Sequence, residues 1–166
     1  SRFKGKPLLN KKRKNQINLF FSMEDEVQKL LDFSFDFAKD ILLDTNDIYP
    51  FASVLNKKGE VRHVGFQGDE DHEPKARNVI EVIHQYCEEQ FSEGLIQAYA
   101  LTYEVMVELD TEIEPSDAFV IDIMHVDDDA LPLYYFPFKF IADVKLEFGE
   151  SFAVKREENN QFENFD

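Results

Sequence analysis

Two stretches of the chain carry hydrophobic residues at helical spacing. In the first, apolar residues recur every three or four positions from Val27 to Leu42 and share one side of a helical wheel. Ser22 and the acidic run 24–26 are typical of a helix start, and residues 45–47 are expected to end this helix. The second pattern begins at Pro74 and ends before a glycine at position 94. Both patterns predict amphipathic helices that bury one side.

The remaining hydrophobic positions are typical of β-strands. Residues 49–55 and 60–67 flank a short loop that ends in Gly59, which predicts a β-hairpin. From Gln97 to Leu109 apolar and other residues alternate, and prolines in a later segment indicate an edge strand or a bulge. Strands after the second helix are predicted at Gln97–Leu109, Ala118–Val126 and Leu131–Ile141, with Val144–Phe152 closing the set.

The order of these elements, α-β-β-α-β-β-β, predicts an α+β fold. The economical packing is a five-stranded, mostly antiparallel sheet with two helices on one face. The same order is that of profilin-like and roadblock-like domains, an argument from element order alone. We expect a basic flexible arm at residues 1–20, a single α+β domain at 21–156 and an acidic flexible tail at 157–166.

Charge narrows the choice of partners. The chain has 34 acidic and 18 basic residues, a net charge of −16, and seven of the basic residues lie in the acid-free segment 1–20. A body this negative repels phosphate backbones, so we expect no nucleic-acid binding by the folded domain. A basic protein partner, a second copy of the chain, or both, are the expected partners.

Location and cofactors are constrained by what the sequence lacks. No apolar run is long enough to span a membrane and no apolar signal core begins the chain, so we expect a cytoplasmic protein without a membrane span. A single cysteine, Cys87, excludes an intramolecular disulfide framework and a Cys-rich metal site. Nucleotide-binding loops and nucleophile-elbow motifs are absent, so no cofactor is predicted.

Several segments, in order, resemble a widespread family of small uncharacterised bacterial α+β domains. The family pattern reads YPF(A/G)-x-x-L-x-x-x-GE, A-x-x-YDV-x-V and DAI-x-(V/I)-x-x-EH, and the resemblance covers roughly residues 27–156. It implies a single α+β domain and no known activity. The chain departs from the pattern at Glu104, usually Asp, and at Met124, usually Glu. The matching segments are Tyr49-Pro-Phe-Ala-Ser-Val-Leu-Asn-Lys-Lys-Gly-Glu-Val61, Ala98-Tyr-Ala-Leu-Thr-Tyr-Glu-Val-Met-Val107, Asp117-Ala-Phe-Val-Ile-Asp-Ile-Met-His125 and Gly149-Glu-Ser-Phe-Ala153.

One set of ionisable residues is a candidate for chemistry. His125 with Glu104 or Asp122 supplies the imidazole and carboxylate of an acid–base pair, the basis for a small hydrolase with or without a metal ion. Strand alternation places His125 and Asp127 on one face and Asp122 and Asp128 on the other, so a metal site is not predicted.

The favoured hypothesis is a non-enzymatic protein-binding domain with an acidic surface. An antitoxin-like or immunity-like role toward a basic partner is one version of it. If both helices cover one side of the sheet, the other side is left open to a partner or to a second copy. The predicted binding face consists of Thr102, Glu104, Met106, Asp122 and Met124.

Overall fold

A computed structural model describes residues 22–66, 75–142 and 144–157. The predicted basic arm, the segment 67–74 with Pro74 at the predicted start of the second helix, and nearly all of the predicted tail lie outside these ranges. Within them the chain forms two helices and seven strands. The helices are α1 (Met23–Thr45) and α2 (Ala76–Ser92); the strands are β1 (Phe51–Asn56), β2 (Val61–Val64), β3 (Ile96–Val107), β4 (Ser116–His125), β5 (Leu133–Ile141), β6 (Lys145–Phe148) and β7 (Phe152–Val154).

The predicted start of α1 and the predicted ends of both helices are confirmed. Ser22 caps α1: its hydroxyl accepts from the Asp25 N–H at 3.1 Å, and the Asp25 carboxylate accepts from the Ser22 N–H. The helix ends at Asn46 in the left-handed conformation, with φ 66°. Gly94, just past α2, has φ 75°, which explains the need for glycine there.

The strands form one antiparallel sheet, so the α+β prediction is confirmed. Its order is β2-β1-β3-β4-β5-β6, with β7 also paired to β5. The predicted element order holds through β5, but the sheet has seven strands rather than five, because the closing segment forms two short strands along one edge of β5. They are separated where the Gly149 N–H donates to the Pro137 carbonyl at 2.9 Å. Proline suits this break because it lacks an N–H for a continuous strand.

The two helices lie on opposite faces of the sheet, and the prediction that they share one face is wrong. Alternate residues of β3 face different helices: Ala98 and Ala100 belong to the core under α1, whereas Tyr99 and Leu101 belong to the core under α2. Small side chains such as these are compatible with an exposed surface and with a closely packed interior. They are small because they leave room for the leucine and phenylalanine side chains of α1.

Aromatic side chains fill the core beneath α1. The Phe35 ring lies between 5.0 and 5.8 Å, centroid to centroid, from the rings of Phe119, Phe136 and Phe148. This contact joins α1 to β4, β5 and β6, so one residue connects four elements. Neither helix in the described ranges is long and apolar enough to cross a membrane.

Candidate functional site

His125 ends β4 and is completely enclosed. Its Nε2 donates to Glu26 Oε1 at 2.7 Å, and its Nδ1 accepts from the Asp127 N–H at 3.0 Å. Because Nδ1 is the acceptor, the ring proton sits on Nε2. Both nitrogens are therefore engaged, and the imidazole ties the first turn of α1 to the end of β4.

Asp122 lies on the other face of the same strand, in the α2 layer. Its side chain is 2% exposed and accepts from the Arg156 Nη2, while the Arg156 Nε donates to the Leu131 carbonyl at 3.1 Å. Arg156 follows β7, so this buried ion pair fastens the described end of the chain across β5. A carboxylate held in this way is a structural counter-ion.

Glu104 faces α1 near the helix's carboxyl end. It lies six residues along the ladder from the β3 residue that pairs with His125, a separation of about 20 Å. Its Oε1 accepts from the Ile48 N–H at 2.8 Å. Burial raises the pKa of Glu104 to about 7, helped by a hydrogen bond with the Asp47 carboxyl and the nearby charge of Asp117.

The structure does not bring these three candidates together. His125 and Glu104 share a face but lie at opposite ends of it, and Asp122 points to the opposite face. In the described part of the chain no group of three or more His, Cys, Asp or Glu residues is placed to hold a metal ion. The predicted acid–base centre of a hydrolase therefore has no geometric support.

The predicted open sheet face is also not formed, because each face is covered by a helix. Thr102, Glu104 and Met106 belong to the α1 face, and Asp122 and Met124 to the α2 face. Thr102 is 0% exposed, and Glu104 and Met124 are half-buried. Met106 alone among the five is well exposed, at 53%, beyond the end of α1.

A polar network that the sequence analysis missed joins α2 to β3. The Tyr99 hydroxyl donates to Glu88 Oε2, which lies 3.9 Å from His84 Nε2. Burial, with the charge of Glu88, raises the pKa of Tyr99, so the phenol stays protonated. The i, i+4 spacing of His84 and Glu88 was the available signal. Since burial also raises the pKa of Cys87 to about 12, this inner side of α2 carries no reactive thiolate.

The outward side of α2 is different in character. Val82 is 54% exposed and Tyr86 47%, one helical turn apart. Exposed polar residues surround this pair, and three of them are glutamates. We call this surface the α2 outer face; it consists of Glu81, Val82, Gln85, Tyr86, Glu89 and Glu93.

The electrostatics of the α2 outer face are one-sided. Arg77, in the first turn, is the one lysine or arginine within α2, and the last turn has no basic residue. The carboxyl end of a helix carries partial negative charge, and here Glu89 and Glu93 add to it. Lys57 is a nearby counter-charge from outside the helix, since its Nζ lies 3.8 Å from the position that a Cβ would take on Gly94. The surface thus combines an apolar centre with a rim in which three glutamates face this one lysine.

No protein-family model, curated protein or solved structure matches this chain. The resemblance to small bacterial α+β domains therefore stays a prediction, and the functional argument rests on the geometry of the described residues.

Proposed function

We propose that this protein is a non-enzymatic binding domain that holds a basic protein partner on the α2 outer face. The observation that carries the proposal is the exposure of Val82 and Tyr86 within a row of glutamates. A tyrosine and an aliphatic side chain at the centre of a polar rim are typical of protein–protein interfaces.

The negative rim determines which partner fits. Carboxylates around an apolar centre attract lysine and arginine side chains and speed the encounter with a positively charged protein. Tyr86 adds a flat ring on which an arginine guanidinium stacks favourably. An antitoxin-like or immunity-like role, in which the domain covers a basic effector, is one concrete version of this proposal.

A second copy of the chain is a less favourable occupant of the same surface. A two-fold dimer through α2 would bring the glutamates of both copies together, and like charges across an interface repel. The homodimer expected from the sequence stays a prediction, which the mass of the isolated protein in solution tests.

The test is affinity capture from the native host's lysate with three baits. They are the unaltered chain, Val82→Asp on α2 and Leu43→Asp on α1. Leu43 is a matched control because its side chain is also 54% exposed. We expect the unaltered chain and Leu43→Asp to retain the same basic protein, and Val82→Asp to retain at least about tenfold less.

Salt provides the second criterion. Raising the salt concentration to about 0.5 M screens exposed charge pairs, so it should weaken the capture. Equal capture by Val82→Asp and the unaltered chain, or retention only of acidic proteins, would contradict the proposal. Thermal unfolding of each bait checks that the substitutions leave the fold intact.

A further inference from the structure

We infer that the chain's own basic arm, residues 1–20, docks on the α2 outer face and competes there with a partner. The arm has seven basic residues and no acidic one, with four of the seven in the run 11–14. The competition rests on the proposed function, whereas the docking itself does not.

The place where the arm joins the fold supports this occupant. The arm leads to Ser22 at the start of α1, and Glu26 in the first turn bonds His125, which pairs with Ala98 of β3. The next residue of β3, Tyr99, contacts the last turns of α2: its ring lies 5.5 Å from that of Phe91. The start of α1 and the end of α2 therefore lie at the same end of the sheet, on opposite faces.

The length of the arm is sufficient for this path. The start of α1 and the outer surface of α2 are separated by two helix–sheet spacings of about 10 Å each and by the radius of α2, about 5 Å. The total distance is about 25 Å. The eight Cα–Cα steps from Lys14 to Ser22 span about 27 Å when extended. This length is enough for the basic run to reach the carboxyl-terminal turns of α2, where Glu89 and Glu93 lie.

Charge and hydrophobicity both match. Lys57 lies near Gly94, but the three exposed glutamates of the α2 outer face exceed this single positive charge. Lysines and an arginine from the arm would therefore complement the remaining negative charge and the helix end. Leu8 and Leu9 are separated from the basic run by a single residue, Asn10. They offer apolar side chains to Val82 and Tyr86. The tether keeps the arm at a high local concentration, so modest affinity is sufficient for docking.

The docking is tested by paramagnetic relaxation in the full chain. A nitroxide is attached to Asn10→Cys, and the native Cys87 stays unlabelled because it is buried. We expect the label to broaden the amide signals of Val82, Tyr86 and Glu89 more than those of Asp40 and Leu43 on α1. Changing Lys11, Lys12, Arg13 and Lys14 to glutamine should abolish the difference.

Two outcomes would overturn the docking. One is equal broadening on α1 and α2. The other is a pattern that survives the four glutamine substitutions. A further experiment distinguishes docking within a chain from docking on a second copy. Chains that carry the nitroxide are mixed with isotope-enriched chains that do not, and only the latter are observed. Broadening of their α2 signals would show docking between chains and would contradict the inference.

The competition is measured with a lysine homopolymer of about 16 residues as the probe. We expect the four-glutamine variant to bind it several-fold more tightly than a control of equal net charge, in which the exposed lysines Lys39, Lys139, Lys145 and Lys155 of the fold are changed to glutamine. Only the first variant removes the arm from the surface, so equal binding by the two variants would contradict the competition. If the lysate capture fails while the α2 signals broaden, the proposed function is wrong and the docking is supported. If the capture succeeds and the α2 signals do not broaden, the proposed function is supported and the docking is wrong.

Discussion

Three hydroxyl groups buried beneath α1 show the effect of a single hydrogen bond. The Ser34 and Ser53 hydroxyls lie 3.1 Å apart and bond each other across the helix–sheet contact. The Thr102 hydroxyl is equally buried but has no hydrogen-bond partner among the residues that the structure describes. Withdrawing such a group from water without a replacement bond costs free energy.

Thr102→Val should therefore stabilise the protein. Valine keeps the shape of threonine and removes the unsatisfied hydroxyl, so we expect the free energy of unfolding to rise by about 1 kcal/mol. Ser53→Ala, which deprives Ser34 of its partner, should lower it by about 1–2 kcal/mol. Urea unfolding measures both, and a loss of stability in Thr102→Val would contradict this account of the site.

The half-buried carboxyl of Glu104 should make stability depend on pH. Its folded pKa of about 7 lies above the ordinary 4.5, so the folded state binds the proton more tightly than the unfolded state. The resulting stabilisation is complete below pH 4.5 and is lost as the pH rises through 7. Glu104→Gln should remove this dependence, about 1 kcal/mol once solvent screening is allowed for.

The measurement is the difference in unfolding free energy between pH 5 and pH 8 for each protein. Glu108, directly after the end of β3, is exposed, so Glu108→Gln is the matched control and should keep the original profile. If Glu104→Gln and the unaltered chain show the same pH profile, the assignment of the raised pKa to Glu104 is wrong.

At the scale of elements, local signals were sufficient for most of the fold. The cap at Ser22, the helix end at Asn46 and the glycines in the hairpin and after α2 each act within a few residues, so they are readable from sequence. The side of the sheet to which each helix packs is not local. Ala98 and Ala100 look the same whether they face water or a closely packed helix, and this ambiguity led to the wrong placement.

The candidate site was predicted poorly for the same reason. His125 bonds a residue 99 positions earlier, and Asp122 one 34 positions later. No spacing rule connects such partners, so residues that looked available for chemistry are in fact joined to distant parts of the fold. The exposure of Val82 and Tyr86 was not predictable either, because it depends on which side of α2 packs against the sheet.

The ion pair between Asp122 and Arg156 should stabilise the attachment of β7. Arg156→Met leaves a carboxylate 2% exposed without its counter-ion, so we expect the free energy of unfolding to fall by about 3 kcal/mol. The double variant Asp122→Asn/Arg156→Met should recover much of that loss. Lys155→Met, at an exposed neighbouring position, is the control and should change little. A small effect of Arg156→Met would show that the pair is dispensable.

At the scale of the whole molecule, the charges are separated along the chain. The first 20 residues are basic and the rest strongly acidic, with a net charge of −16 overall. Both proposed occupants of the α2 outer face, an external basic protein and the chain's own arm, are positively charged. Added salt should lower the occupancy of this surface by either of them, because screening weakens the attraction of the partner and that of the arm.

Binding of a basic protein to the α2 outer face is tested most directly by photo-crosslinking in the native host. For this, p-benzoylphenylalanine is placed at Tyr86 or, in a separate strain, at Leu43. We expect a covalent adduct with one basic protein from position 86 and none from position 43. An adduct of equal yield from both positions, an acidic partner, or no adduct from position 86 would contradict it.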